Sequence, residues 1–125
     1  MIVIDTDVLI EIFDKKSGRG EEALKKVVES GEGIGITAVN LHEILYGLRK
    51  YAKPAREILE LPVLSYTKED ARLAAELELN AESRGVPVRR TDVMIAAMTM
   101  NNGAKLYTLD SKHFKPLEPL GLKLF

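Results

Sequence analysis

The sequence has no cysteine, no tryptophan and no glutamine among its 125 residues. Without cysteine it cannot form a disulfide scaffold, a thiolate metal site or a cysteine nucleophile. A chain of 13.9 kDa buries roughly two thirds of its unfolded surface, so it needs no covalent cross-links to fold. We therefore expect one globular domain over residues 1–125.

Long apolar runs and an excess of one charge are also absent. No stretch approaches the roughly 18 apolar residues that span a bilayer. The N-terminus lacks the basic segment of a signal peptide, and Asp5 interrupts its apolar run, so we expect a cytoplasmic protein without a membrane segment. Because 18 basic residues face 19 acidic ones, the net charge is -1. Any attraction to a polyanion must therefore come from local patches or a bound cation.

Short apolar runs alternate with longer amphipathic ones along the chain. The runs predict strands at 2–4, 33–36, 62–65, 105–108 and 122–124, and helices at 6–14, 21–30, 39–51, 55–60, 67–85 and 92–101. Strands that alternate with helices indicate an α/β fold whose mostly parallel sheet is covered on both faces. In such sheets binding sites lie beyond the carboxyl ends of the strands.

Four acids are predicted to reach this edge of the sheet. Asp5 ends the first strand and Asp110 follows the fourth. Asp92 opens a helix that is apolar all round and therefore buried. Glu43 lies on a second, semi-apolar stripe of helix 39–51, so we expect it to face inward.

Each of the four acids also has an ordinary structural explanation. Asp5 is a good helix N-cap residue, and Asp92 in a first helical turn is favoured by the helix dipole. Asp110 suits an Asx-turn, and Glu43 taken alone is a surface charge. A functional site is indicated by the prediction that all four acids lie at the same edge of the sheet. Two carboxylates about 4 Å apart repel by about 4 kcal/mol at an effective dielectric near 20, so four together require a cation or protonation.

An all-oxygen ligand set favours Mg²⁺ or Mn²⁺, and such ions activate water in phosphodiester cleavage. Three further side chains are candidates for supporting this site. Asp7 could bind the metal, hold a metal-bound water or cap the first helix. Thr37 could donate to Asp5 or cap helix 39–51, and Thr108 is a similar candidate. The two histidines, His42 and His113, lack zinc-site spacing.

Four segments in order along nearly the whole chain resemble the motifs of PIN-domain nucleases, particularly VapC-type toxins of type II toxin–antitoxin pairs. They are MIVIDTDVLI at 1–10, ITAVNLHEILYG at 36–47, RTDVMIAA at 90–97 and LYTLDSKHF at 106–114. Each motif alone is weak. Four of them in family-like order make the resemblance specific.

The resemblance implies a PIN-like three-layer sandwich with a mostly parallel five-stranded sheet between helices. It also implies a Mg²⁺- or Mn²⁺-dependent endoribonuclease, often a homodimer, which a cognate antitoxin protein neutralises over the acidic site. Carried over by position, the catalytic and metal-binding acids are Asp5, Glu43, Asp92 and Asp110, supported by Thr37 or Thr108. Two positions depart from the family: Asp7 stands where Asn is common, and His113 stands where a second acid often follows.

If the substrate is RNA, basic residues beside the motifs are candidates for binding its phosphates. Arg89 and Arg90 precede Asp92, and Lys15 and Lys16 follow the first predicted helix. Such clusters are also common on solvated faces that bind nothing.

Two other functions fit parts of the pattern. Residues 5–8, Asp-Thr-Asp-Val, fit the opening motif of a haloacid-dehalogenase-type phosphatase, with Asp5 as nucleophile and Asp7 as acid/base. That mechanism also needs a phosphate-balancing lysine in a third motif and normally a longer chain. A non-catalytic partner-binding module is the other alternative, and the intact set of four acids argues against it.

Overall fold

The computed structural model describes all residues 1–125. It contains a parallel sheet of four strands: β1 (Ile2–Ile4), β2 (Ile34–Thr37), β3 (Val63–Leu64) and β4 (Lys105–Tyr107). Their spatial order is β3-β2-β1-β4, with Ile2 paired to both Ile34 and Lys105 and Ile36 to Val63. The predicted α/β class and parallel sheet are confirmed.

Helices connect and cover the strands. They are α1 (Thr6–Leu9), α2 (Gly18–Ser30), α3 (Ala38–Lys50), α4 (Arg56–Leu59), α5 (Lys68–Ser83), α6 (Arg90–Asn101) and α7 (Ser111–Phe114). The helix predicted over 6–14 is present, but it widens after α1 into a π-helical segment, Ile10–Asp14. A 3-10 helix at Lys115–Leu120 was not predicted. Its two prolines, Pro116 and Pro119, do not suggest a helix, because proline donates no backbone hydrogen bond.

The expectation of a fifth strand at 122–124 is wrong. This segment forms only an isolated parallel bridge between Leu106 and Leu124. The backbone N–H of Leu106 donates to Lys123 O at 2.9 Å, and that of Phe125 donates to Leu106 O at 2.8 Å. The chain reaches β4 only after the left-handed turn at Gly121, where φ is 115°. Only one register position is paired with β4.

The core lies on both faces of the sheet because successive strand residues point to opposite sides. Val3 packs with α5, α6 and the 3-10 helix, whereas Ile2 and Ile4 pack with α1, α2, α3 and α4. All three β1 side chains are buried, as expected for a strand in the middle of a three-layer sandwich. None of the helices is long and apolar enough to cross a membrane.

The same edge of the sheet receives the predicted polar residues. β1 runs directly into Asp5, β2 ends at Thr37 and β4 is followed by Thr108. The backbone N–H of Asp5 donates to Tyr107 O at 2.9 Å, which ties the ends of β1 and β4 together. Helices α1 and α3 both begin at this edge.

Candidate active site

Asp5 is fixed by hydrogen bonds to both carboxylate oxygens. Its Oδ1 accepts from the Thr6 backbone N–H at 2.9 Å and from Asn40 Nδ2 at 3.1 Å, and its Oδ2 accepts from Thr108 Oγ1 at 2.7 Å. The first of these bonds makes Asp5 the N-cap of α1, so the structural explanation holds alongside any chemical one. Asp5 is only 8% exposed. Burial, followed by the nearby Asp7 charge, raises its pKa to about 6.

Asp7 lies on the first turn of α1, beside Asp5. Its Oδ2 accepts from the Leu109 backbone N–H at 3.1 Å and lies 3.3 Å from Thr108 Oγ1. Its Oδ1 is buried and has no hydrogen-bond partner. Burial raises the pKa of Asp7, and the Asp110 charge adds to this. A buried acceptor without a donor is costly and uncommon, so Asp7 presents an oxygen with spare capacity to bind a cation.

Asn40, like Thr6, is a residue of this site that the sequence patterns missed. It is completely buried, and its Nδ2 donates to Asp5 Oδ1 at 3.1 Å and to Thr6 Oγ1 at 3.0 Å. Its Oδ1 in turn accepts from Thr37 N at 3.3 Å and Thr37 Oγ1 at 2.7 Å. The Asn40 backbone N–H donates to Thr37 Oγ1 at 3.0 Å, which makes Thr37 the N-cap of α3. Thr37 is therefore connected to Asp5 through Asn40. The Thr-x-x-Asn capping spacing was the available signal.

Glu43 lies one turn further along α3. Its residue is exposed to solvent, so the expectation of an inward-facing side chain is wrong. It nevertheless points towards the sheet edge, because its Oε1 accepts from Thr6 Oγ1 at 2.7 Å. Its charge also contributes to the raised pKa of Asp5. Glu43 thus sits at the mouth of the site.

Asp92 is held by the residue that caps its helix. It is 4% exposed, and its Oδ2 accepts from Arg89 Nε at 3.1 Å. Arg89 itself is two-thirds exposed. The pKa of its guanidinium is raised chiefly by Asp92, with further contributions from Glu43 and Asp110. The Arg89 guanidinium is therefore stabilised in its charged form by three of the predicted acids, Asp92, Glu43 and Asp110.

Asp110 is connected to the same group through Thr108. Its backbone N–H donates to Thr108 Oγ1 at 3.1 Å, the hydroxyl that itself donates to Asp5. The Asp110 carboxylate is also in contact with His113 Nδ1. A histidine therefore partners this acid at the position where the resembling family often has a carboxylate.

Hydrogen bonds through Thr6, Asn40 and Thr108 thus connect Asp5 with Glu43 and with the Asp110 backbone at one edge of the sheet. Asp92 bonds to Arg89, and the charges of Glu43 and Asp110 also raise the pKa of that guanidinium. The orphaned Asp7 oxygen and the all-oxygen donor set fit a hard divalent ion. No three Asp, Glu or His side chains, however, are grouped closely enough to enclose an ion by themselves. Such a site suits an ion that binds to one or two carboxylates and keeps several waters, as Mg²⁺ does.

The predicted basic residues separate into two groups. Arg89 faces the acids, whereas Arg90 forms a two-point ion pair with Glu78 on α5 at 3.0 and 3.1 Å. Lys15 lies 3.4 Å from Glu11, and Lys16 lies 3.8 Å from Glu57. These three cations are therefore engaged away from the acidic edge. Only Arg89 is already placed beside it.

Comparisons with known proteins agree with this architecture. The family model of the PIN domain matches residues 2–117. Ribonuclease VapC1 from Methanocaldococcus jannaschii is 30% identical over 130 aligned positions, covering 99% of this chain and 86% of that protein. The fold is similar to that in the crystal structure of VapBC2 from Rickettsia felis bound to a promoter DNA fragment, with a TM-score of 0.82, 22% identity and coverage of 100% and 98% of the two chains. FitAcB from Neisseria gonorrhoeae gives a TM-score of 0.80 at 20% identity, with coverage of 100% and 96%. With a family match over almost its entire length and a VapC relative at this identity, the chain belongs to the PIN domain family, in its VapC-type branch.

Proposed function

We propose that this protein is an endoribonuclease that hydrolyses RNA phosphodiester bonds with the help of Mg²⁺ or Mn²⁺, and that residues 1–125 form one catalytic domain. The proposed catalytic and metal-binding acids are Asp5, Glu43, Asp92 and Asp110. Asp7, Thr37 and Thr108 support them. The relative named as a ribonuclease supports the choice of RNA as substrate.

The observation that carries the proposal is a pair of adjacent carboxylates, the buried Asp5 and the half-buried Asp7. Both have a raised pKa, and one Asp7 oxygen has no donor. Folding pays a free-energy penalty to keep two such groups together near neutral pH. A bound cation would remove that penalty, and the pair lies beyond the carboxyl end of a parallel strand, where such folds bind their ligands.

The protein's own part in the reaction is to hold these carboxylates still. Asn40 and Thr108 fix opposite oxygens of Asp5, while Thr6 holds Glu43. Fixed donors of this kind orient a ligand-binding carboxylate without reorganisation during the reaction. When bound, the divalent ion supplies an activated water and neutralises charge on the phosphate. The Arg89 guanidinium, exposed beside Asp92, is placed to bind a phosphate oxygen of the incoming strand.

An antitoxin protein as partner is the biological part of the proposal. Solved structures with the same fold include a toxin–antitoxin complex from Klebsiella pneumoniae and VapBC complexes. We infer that this chain also pairs with an antitoxin that covers the acidic edge, and that it forms a homodimer. Co-purification of the product of a neighbouring small reading frame, with loss of RNA cleavage in the complex, tests this inference.

The phosphatase alternative has less support. No lysine forms an ion pair with Asp5 or Asp7 to balance a phosphate; the lysine ion pairs lie elsewhere. A trapped aspartyl-phosphate on Asp5 would restore this alternative.

The proposal predicts that RNA cleavage depends on a divalent cation and on water as the attacking group. With Mn²⁺ or Mg²⁺ the purified protein should cut a single-stranded RNA, and EDTA should reduce the rate by at least roughly tenfold. Replacing the 2′-hydroxyl by hydrogen at the cut site should leave cleavage in place, because the RNA's own hydroxyl is not the nucleophile. Gel mapping of end-labelled oligonucleotides measures both effects.

The same experiment contains its control against a contaminating nuclease. An RNase that uses the 2′-hydroxyl is resistant to EDTA and is blocked by the 2′-deoxy substitution. That pattern, or no cleavage with either cation, would contradict the proposed function.

A matched pair of variants tests the role of Arg89. Arg89→Ala should weaken RNA binding. It should also make the slope of the logarithm of the binding constant against the logarithm of the salt concentration shallower by about 0.7, the value for one lost phosphate contact to a single strand. Arg90→Ala should leave this slope unchanged, because Arg90 is held by Glu78. Fluorescence anisotropy of a labelled oligonucleotide in EDTA, over a salt series, measures both slopes. Equal slopes for the two variants would contradict the assignment of Arg89, and not Arg90, as the residue that contacts a phosphate.

A further inference from the structure

Two of the four tyrosines are displayed to solvent at the end of α3. Tyr46 is 65% exposed and Tyr51 is 68% exposed. Tyrosine offers a large flat face whose burial is favourable, so such rings are enriched where a protein contacts a ligand. Exposed single aromatic side chains are common. These two differ because Lys50 lies between them and because α3 begins at the acidic edge of the sheet.

Lys50 lies between the two rings. Its Nζ is 5.8 Å from the centroid of Tyr46 and 5.8 Å from that of Tyr51, within the range of cation–π attraction. Neither Lys50 nor the neighbouring Arg49 forms an ion pair within the protein. The end of α3 therefore presents two aromatic faces and two uncompensated cations. We call Tyr46, Lys50 and Tyr51 the tyrosine platform.

The tyrosine platform is continuous with the acidic edge. Glu43, Tyr46 and Lys50 are spaced i, i+3 and i+7, so they lie along one face of α3. Glu43 is in contact with Thr6, which fixes this end of the face at the proposed active site. At 1.5 Å per residue, Tyr46 lies about 4.5 Å and Lys50 about 10 Å further along the helix axis. A polymer leaving the acids along α3 would meet the ring first and the cation next.

The far end of the tyrosine platform is held by the backbone. Ala52 adopts a left-handed conformation with φ of 53°, and the Lys53 N–H donates to Leu48 O at 2.8 Å, which closes the helix end. The Lys53 side chain is tied to Asp14 at 2.6 Å. Tyr51 is thus carried by an ordered helix terminus, and little conformational entropy is lost when a ligand packs on it.

Rings that alternate with cations match the chemistry of a single nucleic-acid strand. Bases stack on aromatic faces while phosphates meet lysine and arginine, and a duplex hides its base faces from such stacking. Surfaces that bind a protein partner usually present a contiguous apolar patch, whereas here the charged Lys50 separates the two rings. We propose that the tyrosine platform binds single-stranded RNA by base stacking, beside the bond that the acids cleave. This inference rests on the proposed ribonuclease function.

Binding of a short single-stranded RNA in EDTA tests the proposal without cleavage. Tyr46→Ala should weaken binding about tenfold, the scale of one lost base–aromatic stack, while Tyr46→Phe should stay within about twofold of the wild type. Tyr66→Ala is the matched control, because Tyr66 is an exposed tyrosine that lies against α5 and α6. Since the chain has no tryptophan, the tyrosine quenching that is lost in Tyr46→Ala but kept in Tyr66→Ala reports contact of the RNA with the platform. Quenching should be strong with single-stranded RNA and weak with a duplex of the same sequence.

The outcomes are distinguishable. If the wild type binds and cleaves RNA but Tyr46→Ala binds equally well, the platform is wrong and the ribonuclease stands. If Tyr46→Ala instead abolishes self-association measured by light scattering, with RNA affinity unchanged, the surface is a protein interface and the proposal is overturned. If the wild type neither binds nor cleaves RNA, the proposed function fails, and this inference with it. Loss in Tyr46→Ala with retention in Tyr46→Phe and Tyr66→Ala supports it.

Discussion

Asp5→Asn should make the protein more stable and inactive at the same time. The carboxylate of Asp5 is buried beside Asp7, and its pKa is raised to about 6 from 3.8. A carboxyl group whose pKa is higher in the folded state favours folding when it is protonated. Its contribution is therefore greatest below about pH 4 and is lost as the pH rises through about 6. Without metal, ionised Asp5 costs the folded protein about 3 kcal/mol near neutral pH.

The substitution fits the hydrogen bonds already present. The amide oxygen takes the place of Oδ1, which accepts from Thr6 N and Asn40 Nδ2. The amide nitrogen takes the place of Oδ2 and donates to Thr108 Oγ1, and the hydroxyl proton then turns to Asp7 Oδ2, which is 3.3 Å away. The three hydrogen bonds to the side chain at position 5 are therefore kept, and none of these donor groups loses its partner.

In EDTA near neutral pH, the Asp5→Asn variant should melt about 10 °C above the wild type, and its stability should depend less on pH between about pH 4 and 7 than that of the wild type. Mn²⁺ should raise the melting temperature of the wild type much more than that of the variant, because a ligand that binds only the folded state stabilises it. RNA cleavage should fall by roughly 100-fold or more. Scanning calorimetry and the oligonucleotide assay measure these effects.

Asp14→Asn is the control for Asp5→Asn, because it removes an aspartate charge that is paired with Lys53 at 2.6 Å. It should bring no gain in stability and no loss of cleavage. A melting temperature for Asp5→Asn at or below that of the wild type in EDTA would show that the buried charge is not costly. Retained cleavage would remove Asp5 from the active site.

The carboxylates were predictable because the sequence marks where strands end. The acid that interrupts the first apolar run places Asp5 at the end of β1. The predicted helix 92–101 is apolar on all sides and is therefore expected to be buried, and Asp92 in its first turn is buried with it. These are local signals. The network around them is not local: Asn40 meets Asp5 across 35 residues of chain, and Thr108 meets it across 103. Its position after the fourth strand made Thr108 a candidate partner, and the capping spacing marked Asn40 as a residue of a helix start. Neither signal specifies the hydrogen bond to Asp5.

The basic residues show the limit of arguing from proximity in sequence. Arg89 and Arg90 are neighbours, but Arg89 is the extended N-cap residue of α6 and Arg90 is its first helical residue, so their side chains leave the chain in different directions. Arg89 consequently meets Asp92, and Arg90 meets Glu78 on α5. The π-helical segment after α1 was equally hidden, since its apolar spacing is also compatible with an α-helix. In the structure, Gly20 of α2 packs against the backbone of this segment at Glu11 and Ile12.

Gly20→Ala should destabilise the protein by about 3 kcal/mol, because α2 packs against the backbone of that π-helical segment. A Cβ at Gly20 would lie 2.2 Å from Glu11 O and 2.9 Å from Ile12 Cα. These are backbone atoms and cannot rotate away. The approach is fixed further by Ser17, whose N–H donates to Glu11 O at 3.1 Å and whose Oγ donates to Glu11 Oε2 at 2.5 Å.

Gly18→Ala is the matched control for Gly20→Ala, on the same first turn of α2. A Cβ at Gly18 meets no atom within 4 Å, so this variant should be neutral or more stable by up to about 1 kcal/mol through helix propensity. Calorimetry should therefore place Gly20→Ala about 10 °C below Gly18→Ala. Relief of the clash moves α2 away from Glu11, and Glu11 lies in the turn that continues α1, the helix carrying Asp7. Gly20→Ala should accordingly also lose metal-dependent cleavage below its melting temperature. Equal melting temperatures for the two variants would show that the close approach of α2 does not hold this helix in place.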